Sequence, residues 1–301
     1  MTDTPQSPRF GHHFGHWFFH ALLRTAGPVP AYLFLHLVVP FYVFIMKRPR
    51  QLASAYLRHR FPEDTAFRRF FRTYTYIYHF GQVLIDQAAM GILGQEAFSI
   101  EFEDRDTLYR MSEEENGMLL LTSHVGNWQT AMGTMNHLAK CVYFHLQLDA
   151  HMRGRHFFDI AGKRDRIRFI SPLSYMGGLV EAYQALEDGN ILSMMGDRAW
   201  GSKVEKTEFL GEPASFPITP YRLAIKARAP VVLMLTVRTG RLAFRIETSY
   251  LTEDMDILCS MDRDQAVTVI LRRYVEALEQ YTDRYPYMWF NIFDFWHEET
   301  G

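Results

Sequence analysis

From residue 118 onward the chain alternates short apolar runs with stretches of helical periodicity, and this alternation limits the fold more than any other feature. Met118–Thr122, Val142–Leu146, Asn190–Met195, Pro230–Val237 and Leu242–Glu247 read as strands. The first four are near-continuous apolar runs, the pattern of strands buried on both faces, and the last alternates. Residues 128–139, 177–188 and 218–228 carry helical spacing between them. A final stretch at 264–282 sets Val267, Ile270, Leu271, Val275 and Leu278 on one side. The expected fold is α/β, a central, mostly parallel sheet covered by helices. Chemistry in such a sheet sits beyond the carboxyl ends of its strands.

The first third of the chain has another texture. Residues 1–80 hold ten Lys or Arg against three acids, a net +7 in a chain whose total is −2. Residues 28–46 carry no charge, and a straight helix of that length would reach about 29 Å, close to the thickness of bilayer hydrocarbon. Lys47, Arg48, Arg50, Arg58 and Arg60 follow at once, as cations follow a membrane segment on the cytoplasmic side. These features predict an N-terminal hydrophobic helical membrane anchor, spanning or interfacial, although a buried core helix would show the same run. Phe67 to Ile85 continue with helical spacing over 64–92. The chain accordingly divides into a basic, aromatic anchoring region, 1–95, and an α/β catalytic domain, 96–301.

His12, His16 and His20 recur every four residues and would share a helix face. Gly11 and Gly15 disfavour that helix, and Phe14, Trp17, Phe18 and Phe19 interleave as in a membrane-surface segment. No metal site is expected, and two cysteines build neither a disulfide framework nor a thiolate zinc site. The basic, aromatic end suits an anionic membrane lipid as partner. No nucleic acid is expected, because no recognition motif is present. The phosphate-cradling, dinucleotide, zinc-protease and serine-hydrolase motifs are also missing.

Two polar groups stand where an α/β sheet keeps its chemistry. His124 follows the first strand by two residues. An imidazole there can take a proton from a hydroxyl near neutral pH. Gly126 permits a tight turn, Asn127 can cap the next helix, and Gln129 lies in that helix's first turn, within reach of the ring. Asp197 and Arg198 follow the 190–195 strand. The carboxylate can bind an acceptor or orient a base, and the guanidinium can clamp a phosphate. A basic run, Arg153, Arg155, Lys163, Arg164, Arg166 and Arg168, suits phosphates or an acidic carrier.

The block around His124 resembles the first motif of the bacterial lipid A biosynthesis acyltransferases, within the wider lysophospholipid acyltransferase superfamily. That motif is a His, four residues, then Asp or Glu, and Val125-Gly126-Asn127-Trp128 match its common filler. Gly196-Asp197-Arg198, the block Phe209–Pro217, and Leu223-Ala224 through Ala229–Val232 are similar to the family's second half. Pro286–Trp296 resembles the tail of a subgroup linked to aryl-polyene or glycolipid clusters. Four blocks in order extend the resemblance over nearly the whole chain.

The resemblance implies a membrane-associated acyltransferase, transferring groups other than aminoacyl groups, at the bacterial inner membrane with its catalytic domain on the cytoplasmic side. His124 would be the general base, with Gln129 and Asp197 beside it and Asn127, Arg164, Arg166 and Arg198 binding substrate. The donor would be a thioester of acyl carrier protein or coenzyme A, with no cofactor, and the acceptor a hydroxyl or amine of a lipid or glycolipid. The departure is Gln129, where the family carries an acid. An amide can hold a tautomer but supplies no charge to a forming imidazolium. Another carboxylate, Asp197 or Asp149, then stands in, or the reaction is less demanding, or the chain is an impaired member acting as a membrane adaptor. Intact Gly126, Asn127, Gly196 and Asp197 favour retained activity. Aminoacyl transfer on the same fold is a further alternative.

Overall fold

The computed structural model describes residues 21–135, 138–147, 166–198, 203–291 and 295–296. In chain order its helices are α1 (Pro28–Phe44), α2 (Lys47–Arg60), α3 (Ala66–Leu93), α4 (Arg105–Glu113), α5 (Trp128–Thr134), α6 (Leu179–Glu187), α7 (Thr219–Ala227), α8 (Met255–Ser260) and α9 (Arg263–Arg284). Its strands are β1 (Ser99–Phe102), β2 (Met118–Thr122), β3 (Val142–His145), β4 (Ile167–Ile170), β5 (Ile191–Met195), β6 (Val204–Phe209), β7 (Glu212–Pro217), β8 (Val231–Gly240) and β9 (Ala243–Tyr250).

Seven strands form one sheet in the order β1-β9-β8-β2-β5-β3-β4. Neighbours pair in parallel except β8 with β9. The runs in β2, β5 and β8 are buried on both faces, as expected, whereas β3 alternates buried with half-buried residues. Leu119, Leu121, Leu192, Met194, Leu233 and Leu235 enter one core, packed against α9 through Ile270, Leu271 and Tyr274. Met118, Leu120, Ile191, Val232 and Met234 point the other way, onto Ala131 and Met135. Asp262 caps α9, its side chain accepting from the backbone N–H groups of Asp264 and Gln265.

The sequence reading missed β1, β4 and the β6–β7 hairpin. β1 and β4 are four-residue edge strands whose exposure alternates, so no apolar run marks them. The hairpin turns at Leu210-Gly211, both at positive φ (54° and 82°), the geometry of a tight two-residue turn.

The 28–46 segment is helical, as expected, but it is not one straight helix through Met46. Helix α1 stops at Phe44, and the chain bends by 89° into α2. No single helix among the described residues is long and apolar enough to cross a membrane, although α1 and α2 pass that test as a bent pair. Helix α1 is also two-sided: Ala31, Tyr32, Leu35, Val39 and Val43 are buried, while Leu33, Leu37, Phe41 and Phe44 are exposed on the same helix. The N-terminal helices share cores with the sheet. Ala53, Tyr56 and Leu57 of α2 and Tyr76 of α3 join the cluster containing Leu119, and α1 packs in a second cluster with Phe244 of β9.

A buried polar knot ties these layers together. Asp86 of α3, fully buried, accepts from the Tyr32 hydroxyl of α1 and from Arg238 Nε of β8 at 2.9 Å. Burial raises the Asp86 pKa against the opposing pull of Arg238 and the Tyr32 hydroxyl.

Candidate active site

The site follows from strand register. β2 and β5 pair in parallel with Thr122 opposite Met195. The Gly196 N–H donates to Thr122 O at 2.9 Å, carrying the alignment one step past the strands. His124 and Asp197 each lie two residues beyond those paired ends, so the register brings them side by side.

The two side chains meet. His124 Nδ1 lies 2.9 Å from Asp197 Oδ1, and the His124 backbone N–H donates to Asp197 Oδ2 at 2.8 Å. The Trp289 indole N–H donates to the same Oδ2 at 2.9 Å. Asp197 is fully buried, and the His124 side chain is 24 % exposed. A carboxylate at Nδ1 favours the tautomer with its proton there, which leaves the Nε2 lone pair for a substrate. Burial alone would raise the Asp197 pKa. The His124 charge and hydrogen bonds, with the Trp289 bond, outweigh it and hold the carboxyl below its usual value.

The C-terminal segment locks this pair. Val125 and Trp289 form an antiparallel bridge. The Phe290 N–H donates to His124 O at 2.6 Å, and the Gly126 N–H donates to Met288 O at 2.7 Å. Trp289 is held in turn by the Tyr76 hydroxyl on its carbonyl, while Tyr56 donates to Pro286 O and its ring meets the indole edge-on at 5.0 Å. Gly126 has φ +49°, and a Cβ there would sit 2.0 Å from Thr236 O. No other residue fits that turn without moving β8. Ser123 and Tyr274, hydroxyls 2.6 Å apart, close the floor beside Gly196.

The expected site residues fall into three groups. His124 and Asp197 are joined directly. Gln129 is buried on α5, and no hydrogen bond among the described residues links it to His124. Asn127 is fully buried, and neither its amide nitrogen nor its oxygen has a partner. Arg198 lies next to Asp197 at the same sheet edge. Arg166 stands elsewhere: it precedes β4, at the amino end of the edge strand, and donates to Leu138 O at 3.0 Å. Arg168 lies within β4 and donates to the Tyr143 hydroxyl. Arg153, Arg155, Lys163, Arg164 and Asp149 lie outside the described residues, as do His12, His16 and His20. Sequence reasoning missed the roles of Trp289, Tyr274, Ser123 and Thr236. Trp289 lay within the tail block, with nothing local to show that its indole reaches Asp197. Among the described residues no group of three or more His, Cys, Asp or Glu can hold a metal ion.

No curated protein sequence matches the chain. Among solved structures, the 1-acyl-sn-glycerophosphate (LPA) acyltransferase PlsC from Thermotoga maritima is similar at 12% identity. That match covers 85% of this chain and 98% of that one, with a TM-score of 0.35, a degree of overlap on which nothing further rests. The sequence profile of the bacterial lipid A biosynthesis acyltransferases matches residues 5–297, nearly the whole length. The chain therefore belongs to that family and is an acyltransferase of lipid biosynthesis, acting on lipid-like acceptors.

Proposed function

We propose that this enzyme moves an acyl group from a thioester of acyl carrier protein or coenzyme A to a hydroxyl or amine of a lipid or glycolipid, with His124 as general base and Asp197 as its carboxylate partner. The observation that carries this reading is the buried Asp197 on Nδ1 of a partly exposed His124. His124 Nε2 takes the acceptor's proton as the acceptor atom attacks the thioester carbonyl. Asp197 holds the tautomer whose Nε2 lone pair faces the acceptor and stabilises the imidazolium formed. Collapse of the tetrahedral oxyanion breaks the carbon–sulfur bond, and the thiolate leaves with the proton from Nε2. Asp197 thus supplies the charge that Gln129 lacks. Asn127, one residue past the Gly126 turn, brings a buried amide that no protein group uses, and it serves the developing oxyanion. Arg198 meets a phosphate of donor or acceptor.

The enzyme lies at the bacterial inner membrane, on its cytoplasmic side. Leu33, Leu37, Phe41 and Phe44 of α1 rest in the interface, and the cations of α2 face the headgroups. This placement keeps a lipid acceptor beside the sheet edge.

The test is acyl transfer by the full chain in detergent, from carrier-protein and coenzyme A thioesters to a membrane lipid extract. Thiol release and label in lipid are read for wild type and His124→Ala. Transfer that vanishes with His124 supports the reading, and undiminished transfer by His124→Ala overturns it. No transfer from any donor returns the impaired-member reading.

A further inference from the structure

Away from the His124 site, the surface between α2 and α3 opens into a cavity of about 870 Å³. Arg48, Arg50, Arg58 and Arg69 line it, and no Asp or Glu does. Helix α2 carries five Lys or Arg and no acid in 14 residues. Nearby arginines are neutralised, Arg60 by Asp283 and Arg72 by Asp64. Among the described residues no carboxylate pairs with any of the four that line the cavity. Two of them are anchored on backbone: Arg50 donates to Val43 O at 3.2 Å and Arg69 Nη2 to Asp64 O at 2.9 Å. The Nε of Arg69 is buried with no acceptor. Four guanidinium groups around an acid-free cavity repel one another, and a buried unpartnered N–H has its own cost. An oxyanion with several acceptor atoms relieves both, and guanidinium forks suit phosphate oxygens.

The rim says which phosphate. Phe70 lines the cavity, and the Phe44 ring of α1 packs on it at 5.3 Å. Phe44, Phe67 and Phe71 are 64%, 73% and 54% exposed. Cations therefore give way directly to uncovered aromatic surface, which continues along α1. Free phosphate would use the first part and leave the second in water. A phospholipid uses both.

We infer that the cavity between α2 and α3 binds the phosphate headgroup of an anionic membrane phospholipid, whose acyl chains run along Phe44, Phe67 and Phe71. This rests on the interfacial placement proposed above and adds a defined lipid site to it.

The test is flotation of the full chain with vesicles of phosphatidylcholine, alone or mixed with phosphatidylglycerol. Arg48→Gln/Arg58→Gln removes two cations from the cavity, and Lys47→Gln/Arg68→Gln removes two beside it. A Lys or Arg near an anionic surface is worth about fivefold in binding, so charge alone costs either pair about 25-fold on mixed vesicles. The cavity pair should lose several-fold more than that, because it also gives up direct phosphate contacts. Short-chain dihexanoyl phosphatidylglycerol should bind wild type more tightly than inorganic phosphate and compete with the vesicles. Equal losses from the two double variants overturn the cavity in favour of diffuse charge. Equal binding of inorganic phosphate and the short-chain lipid overturns the lipid assignment. Binding to pure phosphatidylcholine as strong as to mixed vesicles overturns the anionic site and leaves the interfacial placement standing, whereas no vesicle binding overturns both. The far-UV circular dichroism of Arg48→Gln/Arg58→Gln should match that of wild type, which shows that the fold is intact.

Discussion

Replacing Asp197 by Asn tests where the catalytic charge resides. Asn has nearly the same size, so the variant removes charge and leaves the packing. At 2.9 Å between Asp197 Oδ1 and His124 Nδ1, the attraction between a carboxylate and a forming imidazolium is about 6 kcal/mol at an effective dielectric constant of about 20. At 1.36 kcal/mol per decade that is about 10⁴ in the chemical step. The same acid-to-amide change in a serine-protease triad costs about 10⁴, which sets the scale independently. The amide also presents N–H groups to a pocket already holding three N–H donors, from His124 backbone, His124 ring and Trp289. One buried donor is then left unmet, at about 1–3 kcal/mol of stability. The assay is single-turnover acyl transfer under saturating thioester, corrected for the folded fraction by chemical denaturation. The expected result is a loss of about four decades with the fold retained. Asp197→Asn within tenfold of wild type would falsify the assignment of the charge to Asp197. Gln129→Glu supplies the converse. If Asp197 already carries the charge, an acid at position 129 gives no gain, and a large gain would show a site crippled by Gln129.

The remaining predictions concern what holds the pair. Trp289→Phe removes the indole donor to Asp197 Oδ2 and should cost about 1.5–3 kcal/mol, as hydrogen bonds to charged groups do, read in denaturation midpoint and turnover together. Gly126→Ala puts a Cβ 2.0 Å from Thr236 O at a positive φ; a loss of about 3 kcal/mol or more is expected by urea denaturation, and a stable variant would refute the turn argument. Asp86→Ala strands the buried Arg238 charge and should cost about 3–5 kcal/mol, with Asp86→Ala/Arg238→Met less destabilised than the single variant. In pH dependence, the folded Asp197 pKa lies below the usual 3.8. Its stabilisation is therefore complete above about pH 4 and is lost as pH falls through the lower folded value. The stability gap between wild type and Asp197→Asn should narrow on acidification below pH 4, and a gap that widens there would refute the depressed value.

The central strands were legible because burial on both faces leaves no charge and at most one small hydroxyl residue in each run. Met118–Thr122 and the 231–237 part of β8 show this directly. The edges were not, since β1 and β4 are only four residues long and each is broken by a charged residue, Glu101 and Arg168. The 28–46 segment was legible as an apolar helix but not in its packing, for a related reason. Composition registers that a helix is apolar and is blind to which half of it another helix covers, and α3 covers half of α1.

The chemistry divides in the same way. His124 and Asp197 were each legible singly, because each follows a strand by two residues. Their contact was not, because it depends on β2 pairing with β5 and not with β3, the next strand in sequence. Once that pairing exists, the offset of 73 that joins Thr122 to Met195 also joins His124 to Asp197. Trp289 had no local signal at all; it reaches Asp197 because the C-terminal segment adds itself to the 123–126 turn as a further edge. This difference bears on Gln129. An acid five residues from the base, across one tight turn and into the next helix, is a local device, set by the 124–127 turn and the start of α5. The acid on β5 is a property of sheet register, and register is held by every side chain that packs β2 against β5. A mutation at 129 can remove the local acid in one step, while the register that presents Asp197 to His124 is untouched.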